Sequence, residues 1–121
     1  MNVKDFFQEI SGDYESVMLR FPSEDFALKF IIRFLDDTSF EDLCRNLEEG
    51  NYGEAFRAAH NLKGLGLSLG FTPLGKSAGL LSQALSSAAA EDELPEKLEI
   101  LLAEVSSDYN KTVEAIRKLK G

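Results

Sequence analysis

At 121 residues the chain has room for one domain built around one hydrophobic core. Hydrophobic residues make up 44% and charged residues 28%, which excludes a disordered chain, and no apolar run approaches the roughly 20 residues that cross a bilayer. A formal charge of −8 works against nucleic-acid binding, which needs a basic footprint.

The chain order is that of a helical protein, poor in proline and rich in Leu, Ala, Glu and Lys. Met1–Ile10 carries Asp5 and Glu9 instead of an apolar signal core. Phe6, Phe7 and Ile10 predict a short amphipathic helix over Val3–Ile10, stopped near Ser11-Gly12, and a second short segment, Asp13–Phe21, leads to Pro22. Residues 1–22 thus read as an N-terminal helical extension to a bundle over 23–119. Ser23 is placed as the N-cap of a helix to about Leu35, with Phe26, Phe30, Ile31 and Phe34 on one stripe. Asp36–Ser39 interrupts the pattern, and Ser39 is placed as the cap of a continuation through Phe40, Leu43 and Leu47 to Gly50. The single Cys44 falls in that apolar pattern and reads as a small core residue in a reducing cytoplasm.

Asn51, with Glu54 three residues later, resembles a capping box opening a helix to about Leu69, which Gly70 ends. Thr72 as a cap and Pro73 at the first helical position restart the chain through Leu74, Ala78, Leu81 and Leu85 to about Ala90. Pro95 opens the last helix, where Leu98, Leu101, Leu102, Val105, Tyr109, Val113, Ile116 and Leu119 keep helical spacing. The connections at Gly50-Asn51, Gly70-Phe71 and Glu91–Leu94 are short, so neighbouring helices should run antiparallel. The expected fold is all-α: an up-down antiparallel four-helix bundle with a short N-terminal helical extension.

Charge is unevenly spread. All 21 acidic residues lie in 1–54 or 91–121, although an even spread would place roughly six in 55–90. That window holds Arg57, Lys63, Lys76 and the only histidine, His60. On a helical wheel, Ala55, Ala58, Ala59, Leu62, Leu65, Gly66 and Leu69 occupy one arc about 120° wide, which must face the core. His60 points almost opposite, sharing its face with Gly53, Phe56, Arg57, Lys63, Gly64 and Leu67. A lone histidine most often has no task, but its neighbours suit one. Lys63, one turn on, can reach an anion held on the imidazole. Gly64 costs a helix roughly 1 kcal/mol relative to Ala, and facing outward it clears space for another protein's backbone. Phe56 and Leu67 flank the histidine, either covered by the N-terminal segment or an adjacent bundle helix or forming a partner-docking patch.

His60-Asn61-Leu62-Lys63-Gly64, followed by Gly70, resembles the signature H-x-L-K-G of the histidine-containing phosphotransfer (HPt) domains of two-component phosphorelays. Tyr52–Ala59 is similar to the helical lead-in and Phe71–Leu85 to the returning helix. One departure is Leu65, where family members often have a small residue; it lies at the edge of the core arc and bears on packing. The resemblance implies that His60 accepts a phosphoryl group and exchanges it with an aspartate of a response-regulator receiver domain. Lys63 would stabilise the phosphoryl oxygens, and Phe56, Arg57, Gly64 and Leu67 would dock the partner. It implies a cytoplasmic phosphoryl carrier and not an enzyme, partnered by receiver domains and a histidine kinase, with monomer the favoured state. No Gly-rich nucleotide loop and no magnesium-type carboxylate cluster is evident, so no cofactor or metal is expected in this chain. The chain ends soon after the last helix, at Lys120-Gly121, which favours a free-standing protein over the phosphoacceptor domain of a chemotaxis-type histidine kinase. A helical module that binds receivers without being phosphorylated is the rival class, and the His60/Lys63 pair argues against it.

Overall fold

The helix boundaries follow from how each end satisfies its orphaned backbone groups. In the computed structural model, which describes residues 1–86 and 95–121, the elements are α1 (Val3–Glu9), α2 (Tyr14–Arg20), α3 (Glu24–Arg33), a 3-10 turn (Phe34–Asp36), α4 (Ser39–Glu48), α5 (Tyr52–Ser68), α6 (Thr72–Ser86) and α7 (Pro95–Lys120). No strand occurs among the described residues. The expected end of α6 near Ala90 and the 91–94 connection lie outside them. Asn2 and Asp5 close a capping box on α1, Asp13 caps α2 and Ser23 caps α3 through the Phe26 amide.

Three helices end alike. After α4 the Asn51 amide donates to Asn46 O (2.8 Å) and that of Gly50 to Leu47 O (3.2 Å); after α5 the Phe71 amide donates to Gly66 O (2.7 Å) and that of Gly70 to Leu67 O (3.3 Å). After α1 the Gly12 and Ser11 amides repeat the pattern on Phe7 O and Gln8 O. Each of these Schellman closures turns on a left-handed residue, at φ 75° for Gly50, 77° for Gly70 and 55° for Ser11.

Several expected caps differ. Ser39 is the first residue of α4, not its cap; Thr38 holds that place without a side-chain capping bond, its hydroxyl donating to Asp42 Oδ2 (3.2 Å), and the Ser39 amide is satisfied by Asp37 Oδ2 at 2.9 Å. Asn51 flanks α5 without capping it, because its amide group turns back to Asn46 Oδ1 (3.5 Å) and Glu49 Oε2 (3.2 Å). Thr72 is already helical: the Schellman closure fixes Phe71 so that its carbonyl receives the Gly75 amide at 2.9 Å, moving the start of α6 back one residue. The stripe expected in α3 is shifted too. Ala27, Ile31 and Phe34 are buried, while Phe26 is exposed and forms an outer aromatic group with Phe21 and Phe30. Cys44 is only half-buried.

Helix α5 packs against α4 on one side and α6 on the other, and α6 against α7. The core runs through Leu43, Ala55, Ala59, Leu62, Leu74, Ala78, Leu81, Val105 and Ile116. The first helices join this core. Phe6 and Phe7 are fully buried, and Phe71 meets Phe6 and Phe34 edge-on at 5.8 Å and 5.2 Å. A buried phenyl ring contributes about 1.5–3 kcal/mol, so the N-terminal residues are integral to the core at the α5–α6 turn. Asp13 N–H donates to Gly70 O (3.0 Å), and Arg20 Nη2 donates to Leu67 O (3.2 Å) and Ser68 O (2.7 Å), placing a cation on the carbonyl end of α5. No helix among the described residues is long and apolar enough to cross a membrane.

Candidate functional site

Helix α5 buries Ala55, Ala59, Leu62 and Gly66 against its neighbours, which fixes the rotation of the whole helix. His60, opposite that stripe, is exposed. Its ring stacks on Phe56 one turn earlier, with centroids 5.8 Å apart and planes inclined by 28°. Phe56 itself is half-buried against the core, so it gives the imidazole an apolar backing fixed from below.

Lys63 lies one turn beyond His60. Its aliphatic stem runs along α6: a Cβ added at Gly79 would sit 3.4 Å from Lys63 Cδ and 3.6 Å from Cε. A glycine at 79 therefore seats the lysine stem, a contact that the sequence reading missed. Two glycines four residues apart in α6, Gly75 and Gly79, were the available signal. Among the described residues the Lys63 ammonium has no carboxylate partner. Arg57 differs: its guanidinium pairs with Glu54 at 3.3 Å in an exposed i,i+3 bridge. Such a bridge holds little energy but leaves the local charge near zero.

Gly64 stands on the outer face, and a Cβ there would find no neighbour within 4 Å among the described residues. Leu67 continues that face, 44% exposed, with one side resting over Gly75. The six expected residues Phe56, Arg57, His60, Lys63, Gly64 and Leu67 thus share the outer side of α5, and His60, Lys63, Gly64 and Leu67 lie within two helical turns. Asn61, not singled out in the sequence, ties this helix to α4 through a 2.6 Å bond from Nδ2 to Ser39 Oγ, whose residue is buried. Arg20 was also missed. It reaches α5 from 47 residues away in sequence, and no local pattern could announce that contact.

Elsewhere, Cys44 and Tyr109 are shifted towards their uncharged forms. Burial, helped by Glu41, pushes the Cys44 thiol up, which favours its uncharged, unreactive form. Burial likewise raises Tyr109, with Glu41 and Asp37 adding to it. Among the described residues no group of His, Cys, Asp or Glu is arranged to hold a metal ion. What the face around His60 can do chemically is offer an exposed imidazole one helical turn from an ammonium with no carboxylate partner among the described residues.

The model of the Hpt domain matches residues 32–118. No curated protein and no solved structure matches the chain.

Proposed function

The chain belongs to the Hpt domain family, whose members carry phosphoryl groups in two-component signalling, and from that premise we propose that His60 is the phosphoacceptor of a carrier that exchanges phosphate with receiver aspartates. The observation that carries this reading is the conjunction on α5 of an exposed imidazole, an unpaired ammonium one turn on and a glycine with open space beside both. The bundle that presents them is an up-and-down arrangement of α3–α4, α5, α6 and α7 over residues 23–119, with residues 1–22 as its extension.

In the reaction, a ring nitrogen of His60 attacks the phosphorus of an aspartyl phosphate with its lone pair. The N–P bond forms as the P–O bond to the aspartate breaks, and that electron pair leaves with the carboxylate. The proton on the far ring nitrogen then passes to water. The imidazole gains a group of charge near −2, and an ammonium about 4 Å away attracts it by roughly 1–4 kcal/mol, depending on exposure. Lys63 holds the phosphoryl oxygens, with its stem seated on Gly79. Phe56 supports the ring from behind, while Gly64, Leu67 and Arg57 meet the partner. Receivers and a histidine kinase are the partners, in the cytoplasm, and the partner supplies the metal and the catalytic groups. The chain is a monomeric carrier and not an enzyme.

The test is to screen receiver domains, phosphorylated on aspartate with a labelled donor, for rapid transfer to this chain. Acid-labile, alkali-stable label on His60 supports the proposal. Label on another residue, or stable receiver binding without transfer, overturns it.

A further inference from the structure

The two flanks of His60 differ in charge and shape. On the α4 side Glu54 of α5 neutralises Arg57, and Asp42 of α4 is paired with Arg45. On the α6 side Thr72–Ser86 contains no acidic residue and carries Lys76. On that side a groove of about 600 Å³ opens between α5 and α6, lined by Lys63, Leu67, Lys76, Gly79, Leu80 and Gln83 among others. Its floor is low because α5 and α6 cross at glycines: a Cβ at Gly66 would lie 2.9 Å from Gly75 N. Lys76, Leu80 and Gln83 follow one another at helical spacing along the outer side of α6, and all are exposed, Leu80 by 58%. Leu67 and Leu80 are large apolar side chains left in water on the two walls of one groove. The groove is thus apolar at its walls and cationic at Lys63 and Lys76, with no carboxylate among the described residues that line it.

We propose that the receiver approaches His60 asymmetrically, seating an acidic, partly apolar part of its surface in the α5–α6 groove, where Lys76 and Leu80 determine which receivers are accepted. The inference rests on the reading of His60 as the phosphoacceptor, and the occupant follows from charge. A surface that presents an aspartyl phosphate is anionic through the phosphoryl group and the carboxylates that hold a divalent cation beside it. Such a surface is drawn to two lysines that have no carboxylate partner among the described residues, and rim charges of this kind act mainly on encounter and partner choice. The acid-free window of the sequence is explained in the same way, since α6 (Thr72–Ser86), which lies within it, forms one wall of this groove.

The experiment measures phosphoryl transfer from a phosphorylated receiver, over a range of receiver concentrations, to the parent chain, Lys76→Glu, Leu80→Asp and the control Arg45→Glu. Arg45→Glu makes the same charge change on the exposed surface of α4. Lys76→Glu and Leu80→Asp are expected to raise the receiver concentration for half-maximal transfer about tenfold, with the larger part of the loss in that concentration and not in the maximal rate. The effect of Lys76→Glu should shrink as salt is added. Arg45→Glu should match the parent, and circular dichroism should show all the variants folded. If the parent transfers but Lys76→Glu and Leu80→Asp are indistinguishable from it, or if Arg45→Glu is as impaired as they are, the groove is not the docking site, although His60 stays the acceptor. A parent that takes phosphate from no receiver overturns the reading of His60 and the groove with it.

Discussion

Gly64 and Gly66 lie two residues apart on one helix, yet a Cβ at the first would find open space while one at the second would press to 2.9 Å from the backbone nitrogen of Gly75. Glycine is costly in a helix at either place. At 66 the cost is offset by the close crossing of α5 and α6, which buries Leu62, Leu74 and Ala78. At 64 nothing among the described residues offsets it. The difference teaches that α5 serves two purposes on opposite sides: its inner side is a packing surface and its outer side is kept clear. A residue's role can therefore be read from which side it faces before any chemistry is invoked.

The largest effect expected from this contrast is on leucines five residues apart. Leu62 is fully buried, so Leu62→Asp places a carboxylate in the core and should unfold the domain at a cost of several kcal/mol, seen as a lost thermal transition. Leu67→Asp, at the half-exposed outer position, should keep a cooperative melt within about 1 kcal/mol of the parent and weaken receiver binding instead. Equal unfolding of both would erase the distinction between the sides.

The glycines should respond with opposite signs. Gly66→Ala drives a Cβ into the backbone of α6 and should destabilise the domain by about 1–3 kcal/mol in denaturant melts. Gly64→Ala should stabilise it by up to about 1 kcal/mol, since α5 is regular helix there. Gly64→Gln should leave the fold intact and cut phosphoryl transfer sharply by filling the space beside His60. A Gly64→Gln chain that transfers at the parent rate would contradict the clearance role.

The smallest and most specific change concerns charge alone. Lys63→Arg should retain more transfer than Lys63→Ala, and Lys63→Glu should retain the least, with melting temperatures moving little because the ammonium is unpaired. Equal rates for the three variants would remove Lys63 from the mechanism.

Much of this was legible in the sequence where local pattern decides the outcome. The 3.6-residue period of Ala55, Ala59, Leu62 and Gly66 set the rotation of α5, and hence the exposure of His60, with no tertiary knowledge. Helix ends at Gly50 and Gly70 were legible because a left-handed closure asks for glycine. What escaped depends on partners distant along the chain. Ser39 looked like a cap, but its hydroxyl is engaged by Asn61 of α5. Phe26 matched an apolar stripe, but packing with Phe21 and Phe30 holds it at the surface. Arg20 on the end of α5, and Gly79 under Lys63, are contacts between elements whose mutual placement the sequence does not state.

The central claim is that one imidazole on the clear side of α5 carries the phosphoryl group. Phosphorus NMR of the chain after incubation with a phosphorylated receiver, run beside His60→Gln, tests it most directly. His60→Gln should keep the parent's helical content and melt within about 0.5 kcal/mol, because the side chain it changes is exposed. The parent should show a phosphoramidate resonance that disappears on acidification and is missing from the variant; a phosphoramidate signal of equal intensity in His60→Gln would contradict the account.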